Sequence, residues 1–155
     1  MRSIAILDAG PLLASFDRRD PHHGACVSVI GRPDLRLVIP ALVVAEVAHL
    51  AGERLGPRYE ATFIRALAGY EVEAPTVEEW PLIADLVERY ADLRLGAADA
   101  ATVVLADRLG TDLVVTLDRR HFGAVRSPAG RRFRVLPEVV AAHEEPAEYT
   151  VEPAQ

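Results

Sequence analysis

The chain has 155 residues, 50% of them hydrophobic, and a formal charge of −6. That is enough apolar material for one domain-sized core, and an acidic balance that excludes indiscriminate nucleic-acid binding through a basic surface. All 17 basic residues are arginine, which excludes a P-loop, a Schiff-base lysine and the phosphate-sensing lysine of a receiver domain.

Ser3–Asp8 reads as a buried strand that ends on a carboxylate. The small, turn-prone Ala9–Gly10–Pro11 follows, then a short helix over Leu12–Phe16. Asp20 as N-cap with Pro21 at the first helical position opens a helix to Ile30, stopped before Gly31 and Pro33. His22 and His23 fall at this helix start, at the surface. Arg36–Ile39 is a second strand closed by Pro40; Ala41–Leu55 is a helix ended by Gly56–Pro57, and Arg58–Ala68 another ended by Gly69. Tyr70–Glu73 is a third strand. Thr76 with Glu79 has capping-box spacing and opens a helix to about Tyr90. Gly96 to Leu109 is a small-residue helix ended by Gly110, Leu113–Leu117 a fourth strand and Arg132–Leu136 a fifth.

Strands alternating with helices predict a single three-layer α/β/α domain, with a parallel central sheet of about five strands. It is expected to span residues 1–140, and residues 141–155 to form an acidic, proline-bearing, flexible tail. No apolar run of about 18 residues marks a membrane span. No basic stretch leads into a long apolar segment at the start, as in a signal peptide. The one cysteine, Cys26, allows no internal disulfide and fits a reducing compartment, so a cytoplasmic location is expected.

In an open parallel sheet, sites form beyond the C-terminal strand ends, near the switch in strand order. Asp8 ends the first strand and Asp118, in "LVVTLDRRHF", the fourth; if those strands are neighbours, both acids share one rim. Glu46, in "PALVVAEVAHL", sits mid-helix among mostly apolar neighbours at three- and four-residue spacing. Asp99, in "LGAADAATVVLA", lies in a first helical turn among alanines that leave room for a ligand. Singly, each has an ordinary explanation: Asp8 or Asp118 as helix caps, Asp99 as a charge at a helix N-terminus, Glu46 on a solvent face with Glu53. Together on one rim they would repel one another and raise each other's pKa. A hard divalent cation relieves that, and oxygen-only ligation suits Mg²⁺ or Mn²⁺.

The segments "ILDAGPLLASFDRRDPHH", "IPALVVAEVAHL", "LRLGAADAATVVLADRLG" and "VVTLDRRHF" stand in the order and spacing of PIN-domain ribonucleases. The chain resembles in particular the VapC toxins of bacterial toxin–antitoxin pairs, over roughly residues 3 to 137. The family's strand-end Asp, mid-helix Glu, helix-start Asp and final Asp fall on Asp8, Glu46, Asp99 and Asp118, and its hydroxyl two residues earlier on Thr116. The resemblance implies a Mg²⁺- or Mn²⁺-dependent endoribonuclease, a homodimer, and a small antitoxin that lies across the acidic site. In that reading Asp8, Asp99 and Asp118 are ligands, and Glu46 is a ligand or the base that orients water. Thr116 is expected to hydrogen-bond to metal-bound water or to Asp118, at the substrate-binding side of the site.

An acidic site repels RNA, so a basic element must hold the backbone. Arg119 and Arg120 directly follow Asp118, and Arg126, Arg131, Arg132 and Arg134 come soon after, with no acid from Arg119 to Arg134. His121 reads as a helix-start hydrogen-bonding residue rather than a general acid. Trp80 and Tyr90 read as packing residues or part of a dimer face; Asp112 as starting a strand, Asp92 as ending a helix. A haloacid-dehalogenase-type phosphatase needs a second Asp where Gly10 stands and a lysine. A Rossmann module needs a glycine-rich turn where the chain has "DAGPLL". The remaining alternative is a catalytically silent PIN-fold module that binds RNA or protein.

Overall fold

The computed structural model describes residues 1–138. The expected tail, residues 141–155, and the last residues of the expected domain lie outside them. In chain order the elements are β1 (Ser3–Leu7), α1 (Ala9–Phe16), α2 (His23–Ile30), β2 (Leu35–Pro40), α3 (Ala41–Leu55), α4 (Pro57–Ala66), β3 (Glu71–Glu73), α5 (Glu79–Arg89), α6 (Ala97–Arg108), β4 (Leu113–Val115), α7 (Arg119–Ala124) and β5 (Arg134–Leu136). Short 3₁₀ turns at Leu67–Gly69 and Ala91–Leu93 follow α4 and α5.

All five strands are parallel, in the order β3-β2-β1-β4-β5. The strand order reverses at β1, between β2 and β4, so the chain's first strand sits at the centre of the sheet. Period-two alternation sends side chains to two cores. Ala5, Leu7, Leu35, Ile39, Leu113, Val115 and Leu136 pack with residues of α1, α2, α3 and α4, such as Leu12, Val29, Val43, Val47 and Phe63. Ile6, Val38 and Val114 point the other way, against α5, α6 and α7, through Ile83, Leu86, Val103, Leu105 and Phe122. The three-layer parallel architecture expected from the alternation of elements is the one observed. Near-continuous apolar strands are its direct cause, since a sheet covered on both faces has no solvent side.

Three helix starts differ from the expectation, the third being α5, which begins at Glu79 rather than directly after Thr76. α1 begins at Ala9, so Ala9–Gly10–Pro11 is its first turn and not a separate loop. Pro11 is tolerated there because first-turn N–H groups have no intrahelical partner. α2 begins at His23 rather than Pro21. The Asp20 carboxylate accepts from the backbone N–H of His22 at 2.7 Å and holds a turn, which delays the helix by two residues. At Thr76 the Glu79 carboxylate accepts the Thr76 backbone N–H at 2.9 Å, one half of the capping box expected there.

α6 packs against β1 and β2. Every residue from Ala100 to Ala106 is buried, because alanines on several sides let the helix approach on all of them. Trp80 is 50% exposed and is therefore not a core residue; Tyr90 does pack into the second core and accepts the Arg126 backbone N–H through its hydroxyl at 3.1 Å. Among the described residues no helix is long and apolar enough to cross a membrane.

Candidate active site

A cleft of about 660 Å³ opens over the C-terminal ends of β1 and β4 and is lined by Asp8, Ala9, Gly10, Glu46, Asp99, Thr116, Leu117, Asp118, Arg119 and Arg120. All seven residues expected at the site therefore converge on it, from four places in the chain. Asp8 and Asp118 arrive because β1 and β4 are neighbours, the Asp8 backbone N–H continuing the ladder to the Val115 carbonyl at 2.9 Å. Glu46 comes from α3, which starts directly on the end of β2, and Asp99 from the first turn of α6.

Asp8 is 4% exposed. It occupies the N-cap position of α1, yet its side chain makes no capping bond, so the ordinary explanation for a strand-end Asp does not hold. Its Oδ2 instead accepts the Thr116 hydroxyl at 2.7 Å, and its Oδ1 is buried with no hydrogen-bond partner. Thr116, itself buried, accepts the Asp118 backbone N–H at 3.0 Å through the same Oγ1, so one hydroxyl joins the two strand ends. Asp118 does cap its helix, its Oδ1 accepting the His121 backbone N–H at 2.9 Å.

His121 is the residue whose place in the site the sequence underrated. Its Nδ1 lies 2.9 Å from Asp118 Oδ2 and 3.2 Å from Asp99 Oδ2, and its Nε2 lies 2.6 Å from the Leu93 carbonyl oxygen. The i, i+3 spacing from Asp118 was the available signal. It predicted the helix-start hydrogen bond, not the contact with Asp99.

Burial is the largest cause of the electrostatic shifts at the site. Burial pushes the Asp8 carboxyl up to about 6, with smaller contributions from the Asp99 and Glu46 charges, while the Thr116 hydroxyl opposes the rise. Partial burial, then Asp99, raises Glu46. Burial also raises Asp99, opposed by His121 and reinforced by Asp118. Among the described residues no arginine pairs with any of the four acids.

The basic segment is less free than its composition suggests. Arg119 donates to the Pro137 carbonyl. Arg134 makes a two-bond pair with Asp112 at 2.8 and 2.9 Å, and Arg131 lies 3.6 Å from Asp107. Arg134 opens β5, at the end of the sheet away from the cleft, so it leaves the list of candidate RNA-holding residues, while Asp112 stands at the start of β4 as expected. Arg120 lines the cleft, is exposed, and has no carboxylate partner among the described residues.

A buried, unpartnered carboxylate oxygen among three further carboxylates fits a hard divalent cation. Asp99, Asp118 and His121 also place one ligand atom each within 4.8 Å of one another.

The PIN domain family profile matches residues 5–127. Ribonuclease VapC26 of Mycobacterium tuberculosis is 43% identical over 134 residues, covering 85% of this chain and 99% of that protein. Among solved structures, VapC20 of Mycobacterium tuberculosis, a sarcin–ricin-loop-cleaving toxin, superposes with a TM-score of 0.65 at 20% identity, over 72% of this chain and 87% of that one. VapBC2 of Rickettsia felis, bound to a fragment of promoter DNA, superposes with a TM-score of 0.61 at 11% identity, over 85% and 96%.

Proposed function

Since the chain belongs to the PIN-domain family, and to its VapC ribonucleases, we propose that it is the toxin of a toxin–antitoxin pair, an endoribonuclease that hydrolyses RNA phosphodiester bonds with Mg²⁺ or Mn²⁺. The observation that carries this reading is the convergence of Asp8, Glu46, Asp99 and Asp118 on one cleft with no arginine among their partners. A silent binding module has no use for such repulsion.

Asp8, Asp99 and Asp118 would hold the cation, and Glu46 would hold it or orient the attacking water. The cation would supply a lowered pKa for that water and relief of charge on the phosphate. Thr116 fixes Asp8 and the Asp118 backbone relative to each other, so the two strand-end acids cannot drift apart. Asp8 Oδ1, with no donor of its own, remains available. Arg120 would hold the RNA backbone, and Arg119 would do so only by leaving the Pro137 carbonyl. Charge reversal at Arg120 should then weaken RNA binding and flatten its salt dependence by about one phosphate contact.

The reading extends to an antitoxin segment laid across the acidic cleft, a homodimer and work in the cytoplasm. The exposed Val77, Trp80 and Leu82 on and before α5 offer an apolar face for a second copy. The test is end-mapping of fragments from total RNA. Hydrolysis by water leaves a 5′-phosphate and a 3′-hydroxyl, and Asp8→Asn should abolish the cuts. Fragments ending in a 2′,3′-cyclic phosphate would refute the mechanism. Intact RNA with every divalent cation tried would leave the silent module.

A further inference from the structure

We infer that His121 is a nitrogen ligand of the cation, and that this makes the site select Mn²⁺ over Mg²⁺; the inference rests on the cation-binding reading of the acidic cleft. The Leu93 carbonyl can only accept, so the hydrogen of a neutral His121 ring sits on Nε2, at 2.6 Å from that oxygen. Nδ1 therefore faces Asp99 and Asp118, donates to them while it carries a proton, and offers its lone pair to a cation shared with them once that proton is released. Metal-bound histidines are typically anchored in this way, by a backbone carbonyl on the other ring nitrogen.

The spacing suits a shared cation. In an octahedral shell with bonds of about 2.1 Å, adjacent ligand atoms lie roughly 3 Å apart. Nδ1 stands 2.9 Å from Asp118 Oδ2 and 3.2 Å from Asp99 Oδ2. The Asp118 oxygen that caps α7 is the other one, Oδ1, so capping and ligation do not compete. Asp8 Oδ1, buried and without a hydrogen-bond partner, lines the same cleft as Asp99 and Asp118 and is a second, independent observation that points to a cation. Oxygen serves Mg²⁺ and Mn²⁺ alike; a nitrogen ligand adds affinity for first-row metals that Mg²⁺ does not share, least for Mn²⁺ and more for nickel and zinc.

Pulsed EPR of the full chain loaded with Mn²⁺, with ¹⁵N-labelled histidine, tests the ligation directly. Nitrogen coupling of a directly bound imidazole is expected in the wild type and should vanish in His121→Gln. Mn²⁺ affinity, with Mg²⁺ as competitor, gives the second readout: the preference for Mn²⁺ should fall about tenfold in His121→Gln, with Mg²⁺ affinity changing much less. Absence of nitrogen coupling in the wild type overturns the inference whether or not the variant folds, and so does an unchanged preference in a folded variant. The nuclease reading fails separately: nitrogen-coupled Mn²⁺ on a protein that leaves RNA intact would sink that reading and keep this one.

Discussion

The two ends of the sheet treat acidic side chains in opposite ways. At the N-terminal end each acid has its own arginine. Asp112 pairs with Arg134 and Asp34 with Arg32 through two bonds each, and Glu71 pairs likewise with Arg36. All three carboxyls are held below their usual range by those guanidinium bonds. At the C-terminal end Asp8, Glu46 and Asp99 are raised, first by burial and then by one another. A chain with 17 arginines could have neutralised both ends. It paired Asp112, Asp34 and Glu71 with arginine, and left the four acids of the cleft without one.

The sharpest way to break this contrast is Asp8→Asn. Loss of one of the convergent carboxylates should lower RNA cleavage by more than about a hundredfold, measured as the initial rate of fragment appearance at saturating metal. The same substitution should stabilise the metal-free protein, because it removes a buried, half-satisfied charge while leaving an oxygen to accept the Thr116 hydroxyl. A melting temperature raised by about 3–6 °C near neutral pH is expected. If activity falls and stability falls with it, Asp8 is a structural acid and the contrast between the two ends is empty.

The pH dependence sharpens the same point. Folding raises the Asp8 pKa from an ordinary 3.8 to about 6, so the fold favours its protonated form. Stability linked to Asp8 is therefore full below the unfolded value and is lost as pH rises through the folded one. At neutral pH the loss is on the order of 3 kcal/mol. The gap in melting temperature between Asp8→Asn and the wild type should open between about pH 4 and pH 6 without metal, and close when Mn²⁺ is added. A gap that is flat across that range would show that Asp8 ionises as easily folded as unfolded.

Thr116→Val isolates the hydroxyl that joins the two strand ends. It strips Asp8 of its remaining side-chain donor and leaves the Asp118 backbone N–H without its acceptor. A loss of about 1–3 kcal/mol in stability is expected, with metal affinity down roughly tenfold. Thr116→Ser, which keeps the oxygen, should recover most of the metal affinity, as read by calorimetric titration.

How much of this was legible from sequence depends on which physics is local. The strands were, because burial on both faces writes a continuous apolar run such as "IAIL" or "LVV". Asp8, Asp99 and Asp118 were visible as acids at strand ends and a helix start, and Glu46 as an acid whose neighbours at three- and four-residue spacing are mostly apolar. The pairing of β1 with β4 was not in the residues of either strand. It entered as a condition, and tertiary packing satisfied it. The fate of the arginines was invisible for the same reason: Arg134 reads like Arg120 in the sequence, and only the partner supplied 22 residues away by Asp112 tells them apart. The late start of α2 is a local effect that was open to reading, since Asp20 can hold a turn as readily as it caps a helix.

The smallest expected effect belongs to the compensated end, and its smallness is the point. Asp112→Asn removes a two-bond ion pair whose arginine side chain is 71% exposed and whose carboxylate is 40% exposed. Solvent screens such a pair, so the loss should be no more than about 1 kcal/mol. Because the bond to Arg134 lowers the Asp112 pKa, its contribution is present above the unfolded value and fades as pH falls through the folded one, opposite in sign to Asp8. Cleavage and metal affinity should stay at wild-type values, since Asp112 lies at the other end of β4 from the cleft. A variant that melted like the wild type at neutral pH and cut RNA at the same rate would confirm that the two ends are independent. A marked loss of cleavage would mean that charge at one end of the sheet is felt at the other, and that the arginine pairs there serve the site.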